Sequence, residues 1–108
     1  MALTVLNFSF KGNAGYHLPK EWSHTGIVGS GVLEILMEEK ALGGGVEITV
    51  TTPVTGFDDV WQRVLEKFVE EFQVGNIKID INDNNATPFI VSLRLRQAMI
   101  EAGEEGNF

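Results

Sequence analysis

The sequence predicts an α+β fold: a four-stranded mixed, mostly antiparallel sheet with two helices packed on one face, in the order β-β-β-α-β-α. Three observations carry this. Apolar and polar residues alternate with period two in the first half of the chain, and a long stripe with spacings of three and four follows Pro53. One further alternating segment then stands between that stripe and a second helical one, the pattern of a strand–helix–strand crossover.

Leu6, Phe8 and Phe10 alternate with Asn7, Ser9 and Lys11, which predicts a half-buried strand. Gly12 to Ser23 has no clean period and contains Gly12, Gly15 and Pro19, so it reads as a loop with Trp22 folding back. Thr25 to Val28 is β-branched and is broken by Gly29-Ser30-Gly31; Val32 to Glu38 is a second strand. Gly43-Gly44-Gly45 then reads as a hairpin connection to a third strand, in which Val46, Ile48 and Val50 alternate with Glu47, Thr49 and Thr51. Phe57, Trp61, Val64, Leu65, Phe68 and Phe72 lie on one helical face about 24 Å long. Asp58 and Asp59 suit the positive end of its dipole, and Gly75 reads as its stop. Ile77, Ile79 and Ile81 alternate with Lys78 and Asp80 as the fourth strand. From Thr87 to Gly103 a strand-like alternation (Phe89, Val91, Leu93, Leu95) competes with a helical stripe (Pro88, Val91, Leu95, Ala98, Met99, Ala102). Thr87 as N-cap, Pro88 in the first turn and Gly103 at the end favour the helix. Residues 1–108 are thus expected to form a single domain, with 104–108 a frayed tail.

Composition narrows the function. Eight Lys+Arg against 15 Asp+Glu leave a formal charge of 8 − 15 = −7. That balance disfavours nucleic acid, which rewards counterion release by basic residues. The absence of cysteine excludes a disulfide scaffold, a thiolate metal site and a Cys nucleophile. Neither a signal peptide nor an apolar run of about 20 residues is visible, so a cytoplasmic protein without membrane insertion is expected.

Several constellations resemble active sites and fail on chemistry. Asp80-Ile81-Asn82-Asp83-Asn84-Asn85 starts like a calcium loop, but Asn85 stands where the turn needs Gly and Val91 where it needs a bidentate Glu. A strand end with a polar turn is the better reading. His17, Glu21 and His24 lie in a loop with no helical i, i+4 pairing, so no metal is assigned. None of Ser9, Ser23, Ser30 and Ser92 sits in a Gly-x-Ser-x-Gly elbow, and no catalytic residue is assigned. Gly26 to Gly31 is not followed by the Lys or the helix that a phosphate cradle needs. Ser30, between Gly29 and Gly31, has no flanking side chains to shield it and no base near it in sequence. Such a hydroxyl suits modification by another enzyme better than attack on a substrate, although on composition alone an ordinary turn is the better explanation.

Two ordered blocks add a family resemblance. Val28-Gly29-Ser30-Gly31-Val32-Leu33-Glu34-Ile35-Leu36-Met37-Glu38 resembles the modification motif of the malonate decarboxylase acyl carrier protein (delta subunit) family. Ile79 to Asp83, Ala86-Thr87-Pro88 and Val91 to Gln97 resemble its C-terminal signature, and Trp61 and Phe68 also fit. The resemblance implies a non-catalytic carrier with phosphoribosyl-dephospho-CoA, a phosphopantetheine-like prosthetic group, held covalently on Ser30 through a phosphodiester between Gly29 and Gly31. It implies that the arm's thiol carries acetyl, that an acyl-transferase subunit exchanges acetyl for malonyl, and that decarboxylase subunits then release carbon dioxide. A holo-carrier synthase would attach the arm. The family often has Asp after Gly-Ser-Gly, where this chain has Val32, and Lys11 to His24 is longer than usual. Two other readings stand beside it: a citrate lyase-type acyl carrier subunit, and a cofactor-free α+β binding or assembly module in which Gly-Ser-Gly is only a turn.

Overall fold

The computed structural model describes residues 3–17, 22–25 and 33–101. In chain order these form β1 (Thr4–Lys11), β2 (Trp22–Thr25), β3 (Leu33–Glu39), β4 (Gly45–Thr52), α1 (Asp58–Phe72), β5 (Ile77–Asp83) and α2 (Pro88–Glu101). The strands make one sheet in the order β1-β4-β5-β3-β2. Only β4 and β5 pair in parallel; β1 with β4, β3 with β5 and β2 with β3 are antiparallel. The α+β class, the mixed and mostly antiparallel sheet and the two helices are as the sequence predicts.

Register shows why the helices share a face. Ile35 stands opposite Ile81, Met37 opposite Ile79, and Ile48 beside Ile79, so the odd residues of β3 and β5 and the even residues of β4 point the same way. All of these side chains are buried, together with Trp61, Leu65, Phe68 and Val69 of α1 and Val91, Leu95, Ala98 and Met99 of α2. The larger aliphatic and aromatic members each contribute on the order of 1.5–3 kcal/mol of burial free energy, enough to fix which strand face meets the helices. The opposite face is polar: Thr49 donates to Asn7, and Lys78 reaches both Thr49 and Asp80.

Three details differ from expectation. The sheet gains a fifth strand, β2, within and just past the stretch read as a loop. Trp22–Thr25 has no apolar alternation, and its strand character comes from pairing with the edge of β3. Gly43 to Gly45 do not close a hairpin, because β5 lies between β3 and β4. And α1 stops before Gly75: Gln73 takes the left-handed conformation, with φ of 50°. Gly75 has another task, since a Cβ there would strike the backbone carbonyl of Asn13.

The second helix starts as the sequence predicts, with the Thr87 hydroxyl accepting the Ile90 N–H at 3.3 Å. Burial settles its period: Val91 and Leu95 are buried, whereas Phe89 is 74% and Leu93 47% exposed. A strand would have turned all four to one side. The proposed helix end at Gly103 and the tail 104–108 lie outside the described residues. Among the described residues no helix is long and apolar enough to cross a membrane.

Candidate functional site

Both helices begin at one end of the sheet, where β4 and β5 finish and β3 starts. Ser30, Gly29 and Gly31 lie outside the described residues, on the stretch 26–32 that joins β2 to β3. The flanks of that stretch are fixed. Thr25 is paired with Ile35, and Leu33, 1% exposed, is paired with Asp83. The strand ends on either side of that stretch, Thr25 and Leu33, therefore lie at the end of the sheet from which α1 and α2 depart.

Two buried polar residues organise this end. The Thr52 hydroxyl donates to Asp83 Oδ2 at 2.7 Å and accepts the Val54 N–H at 3.1 Å. Asp83 Oδ1 accepts the Ala86 N–H at 2.9 Å. Each side chain thus holds the first turn of chain after its strand, and the bond between them ties the two turns together. Buried groups of this kind are tolerated because their bonding capacity is used. Above them the helix starts leave a cleft of about 280 Å³ lined chiefly by Val54, Phe57, Trp61, Ala86, Pro88 and Val91.

The other constellations separate. Asp80 and Asn82 point to the polar face and Asp83 to the core, so the oxygens of the calcium-like segment do not converge. Asp80 meets Lys78 at 3.1 Å, and Asn82 donates to Glu34. His17 lies 3.4 Å from Glu39 on the surface, while Glu21 is outside the described residues. Ser9 is on β1, Ser23 on β2 and Ser92 on α2, three separate elements. What the sequence does not disclose is the cleft. It is built by two helix starts far apart in the chain, and the only local hint is Phe57, an aromatic residue at the α1 N-cap that stays 49% exposed.

With this geometry in view, similarity to known proteins decides the family. Residues 20–102 match the model of the malonate decarboxylase delta subunit family. The chain belongs to this family. It is 52% identical over 100 residues to the malonate decarboxylase acyl carrier protein of Malonomonas rubra, covering 93% of this chain and 89% of that protein. Identity to the malonate decarboxylase acyl carrier protein of Xanthomonas campestris pv. campestris (strain B100) is 40% over 97 residues, covering 90% and 92%. Among solved structures, a chain of a Pseudomonas malonate decarboxylase hetero-tetramer in complex with malonate superposes with a TM-score of 0.76 at 37% identity, covering 93% of this chain and 99% of that one. The malonate decarboxylase acyl carrier resemblance read from the two sequence blocks is therefore correct at the level of family.

Proposed function

We propose that this chain is the acyl carrier subunit of malonate decarboxylase, with phosphoribosyl-dephospho-CoA attached to Ser30 through a phosphodiester. The observation that carries the reading is the coincidence of family and motif. A chain matching acyl carriers along nearly its whole length has Gly29-Ser30-Gly31 on the connection leading into β3. The group fits the residues available. Its attachment needs a hydroxyl, and Ser30 supplies one in the sequence between β2 and β3, flanked by two glycines. When bound, the arm supplies a thiol that holds an acyl group as a thioester.

This chain's own task is presentation, and it contributes no catalytic side chain. Gly29 and Gly31 leave room for a bulky nucleotide and for the synthase that installs it. A tethered thiol meets successive active sites at an effective concentration set by reach, without dissociating. The partners of this cytoplasmic carrier are the acyl-transferase and decarboxylase subunits; the charge of −7 suits encounter with basic patches on them.

Coexpression with the arm-attaching synthase tests the assignment by intact mass. The wild-type chain gains the mass of the arm and Ser30→Ala gains nothing, while its thermal unfolding stays the same. An unchanged wild-type mass, or a gain that persists in Ser30→Ala, overturns the reading. Supplying malonate or citrate to the reconstituted complex separates malonate decarboxylase from a citrate lyase-type carrier.

A further inference from the structure

The cleft between the helix starts has no role in a carrier that merely displays its arm, yet its position and lining are specific. Leu33 of β3 is paired with Asp83 of β5, and directly opposed residues in an antiparallel pair lie about 5 Å apart. Asp83 also forms part of the cleft wall. Ser30 is separated from Leu33 by no more than about 11 Å of extended chain. An arm made of a ribosyl phosphate, a nucleotide, a pyrophosphate and pantetheine is longer than these two spans together. At about 280 Å³ the cleft is slightly below the range of roughly 300–1,000 Å³ typical of sites for whole drug-sized ligands, so it suits the tip of an arm and not its nucleotide.

The lining selects which tip. It is mostly aliphatic and aromatic, with Asp83, Asn85 and Thr87 as its polar members and no lysine or arginine among them. The Asp83 carboxyl at its base is already engaged by the Thr52 hydroxyl and the Ala86 N–H. An acetyl thioester is uncharged and leaves no strong donor or acceptor unpaired on entry. A malonyl thioester would bring a second carboxylate beside Asp83, into a mostly apolar wall that contains no lysine or arginine, an unfavourable transfer.

Building on the carrier reading, we propose that this cleft shelters the acetyl-thioester end of the arm and excludes the malonyl form. The resting acetyl carrier keeps its thioester away from water and stray nucleophiles, and conversion to malonyl moves the tip out for the decarboxylase subunits.

The test compares the arm-loaded carrier in its acetyl and malonyl forms with unmodified Ser30→Ala, each verified by intact mass. In nitrogen–proton correlation spectra, the Trp61 indole and the Ala86 and Val91 amides shift in the acetyl form alone. Cleavage of the acetyl thioester by hydroxylamine is slower than that of free acetyl-pantetheine by on the order of tenfold, the ratio for a tip sheltered about nine-tenths of the time. Ala86→Leu, which fills the cleft, returns the rate to that of the free compound; if that variant does not fold, the wild-type spectra decide alone. Full loading with Trp61, Ala86 and Val91 unmoved, or moved equally by acetyl and malonyl, overturns this inference and leaves Ser30 as the attachment site. Failure of the arm to attach at all overturns both.

Discussion

The two ends of the sheet solve the same problem of chain reversal by different means. At the end where β3 and β1 finish, everything is stitched down by Asn76. Its Oδ1 accepts the N–H groups of Leu42 and Gly44 at 3.3 and 2.8 Å, and its Nδ2 donates to the carbonyls of Ala14 and Tyr16 at 3.2 and 3.3 Å. Its backbone N–H reaches Gly45, and its carbonyl accepts from Lys40. The residue itself has φ of 56°, a left-handed conformation that asparagine accepts more readily than most. Gly44, at φ of 91°, packs so closely on Ala14 that a Cβ would lie 2.8 Å from its Cα. At the opposite end, Thr52 and Asp83 fix only the first residues after each strand, and between the helices a cleft is left open. One end is used for closure. The other, where the chain carrying Ser30 enters β3, combines a rigid base with space above it.

Substitutions sharpen this contrast. Asn76→Ala removes four side-chain hydrogen bonds and places alanine at a positive φ, so a loss of about 3 kcal/mol is expected in urea unfolding. A loss below about 1 kcal/mol would show that this end is held by its backbone alone. Thr52→Val keeps the shape of the side chain but leaves Asp83 Oδ2 and the Val54 N–H without their partner, for about 2 kcal/mol by the same measurement. The same variant is expected to speed amide exchange at Val54 and Ala86 while leaving Leu42 and Gly44 unchanged; equal effects at both ends would erase the distinction. The smallest change is Thr87→Ala, which removes the α2 cap for about 1 kcal/mol and frays the first turn beside the cleft, read as faster exchange at Ile90.

Particular residues show how far the sequence could be read. Ser30 was conspicuous because two glycines isolate it and the surrounding block resembles a known family; composition alone left it an ordinary turn. The α2 helix was legible from Thr87 and Pro88 despite a competing alternation, because a cap and a ring-locked first turn are local devices. β2 was not legible, since Trp22 to Thr25 carries no periodic signal and takes its conformation from the neighbouring strand. Nor was the function of Gly75, which looks like a helix stop in one dimension and is a point of close backbone approach to Asn13 in three.

By itself the sequence determined the α+β class, the main strands and both helices, and which face of each is apolar. Periods of two and 3.6 report backbone geometry that each segment carries with it. Only the tertiary structure decided that β5 enters between β3 and β4, that a fifth strand completes the edge, and that two distant helix starts enclose a cleft beside Asp83. Those outcomes depend on which apolar faces can be buried together once the chain closes on itself, and no single segment contains that information.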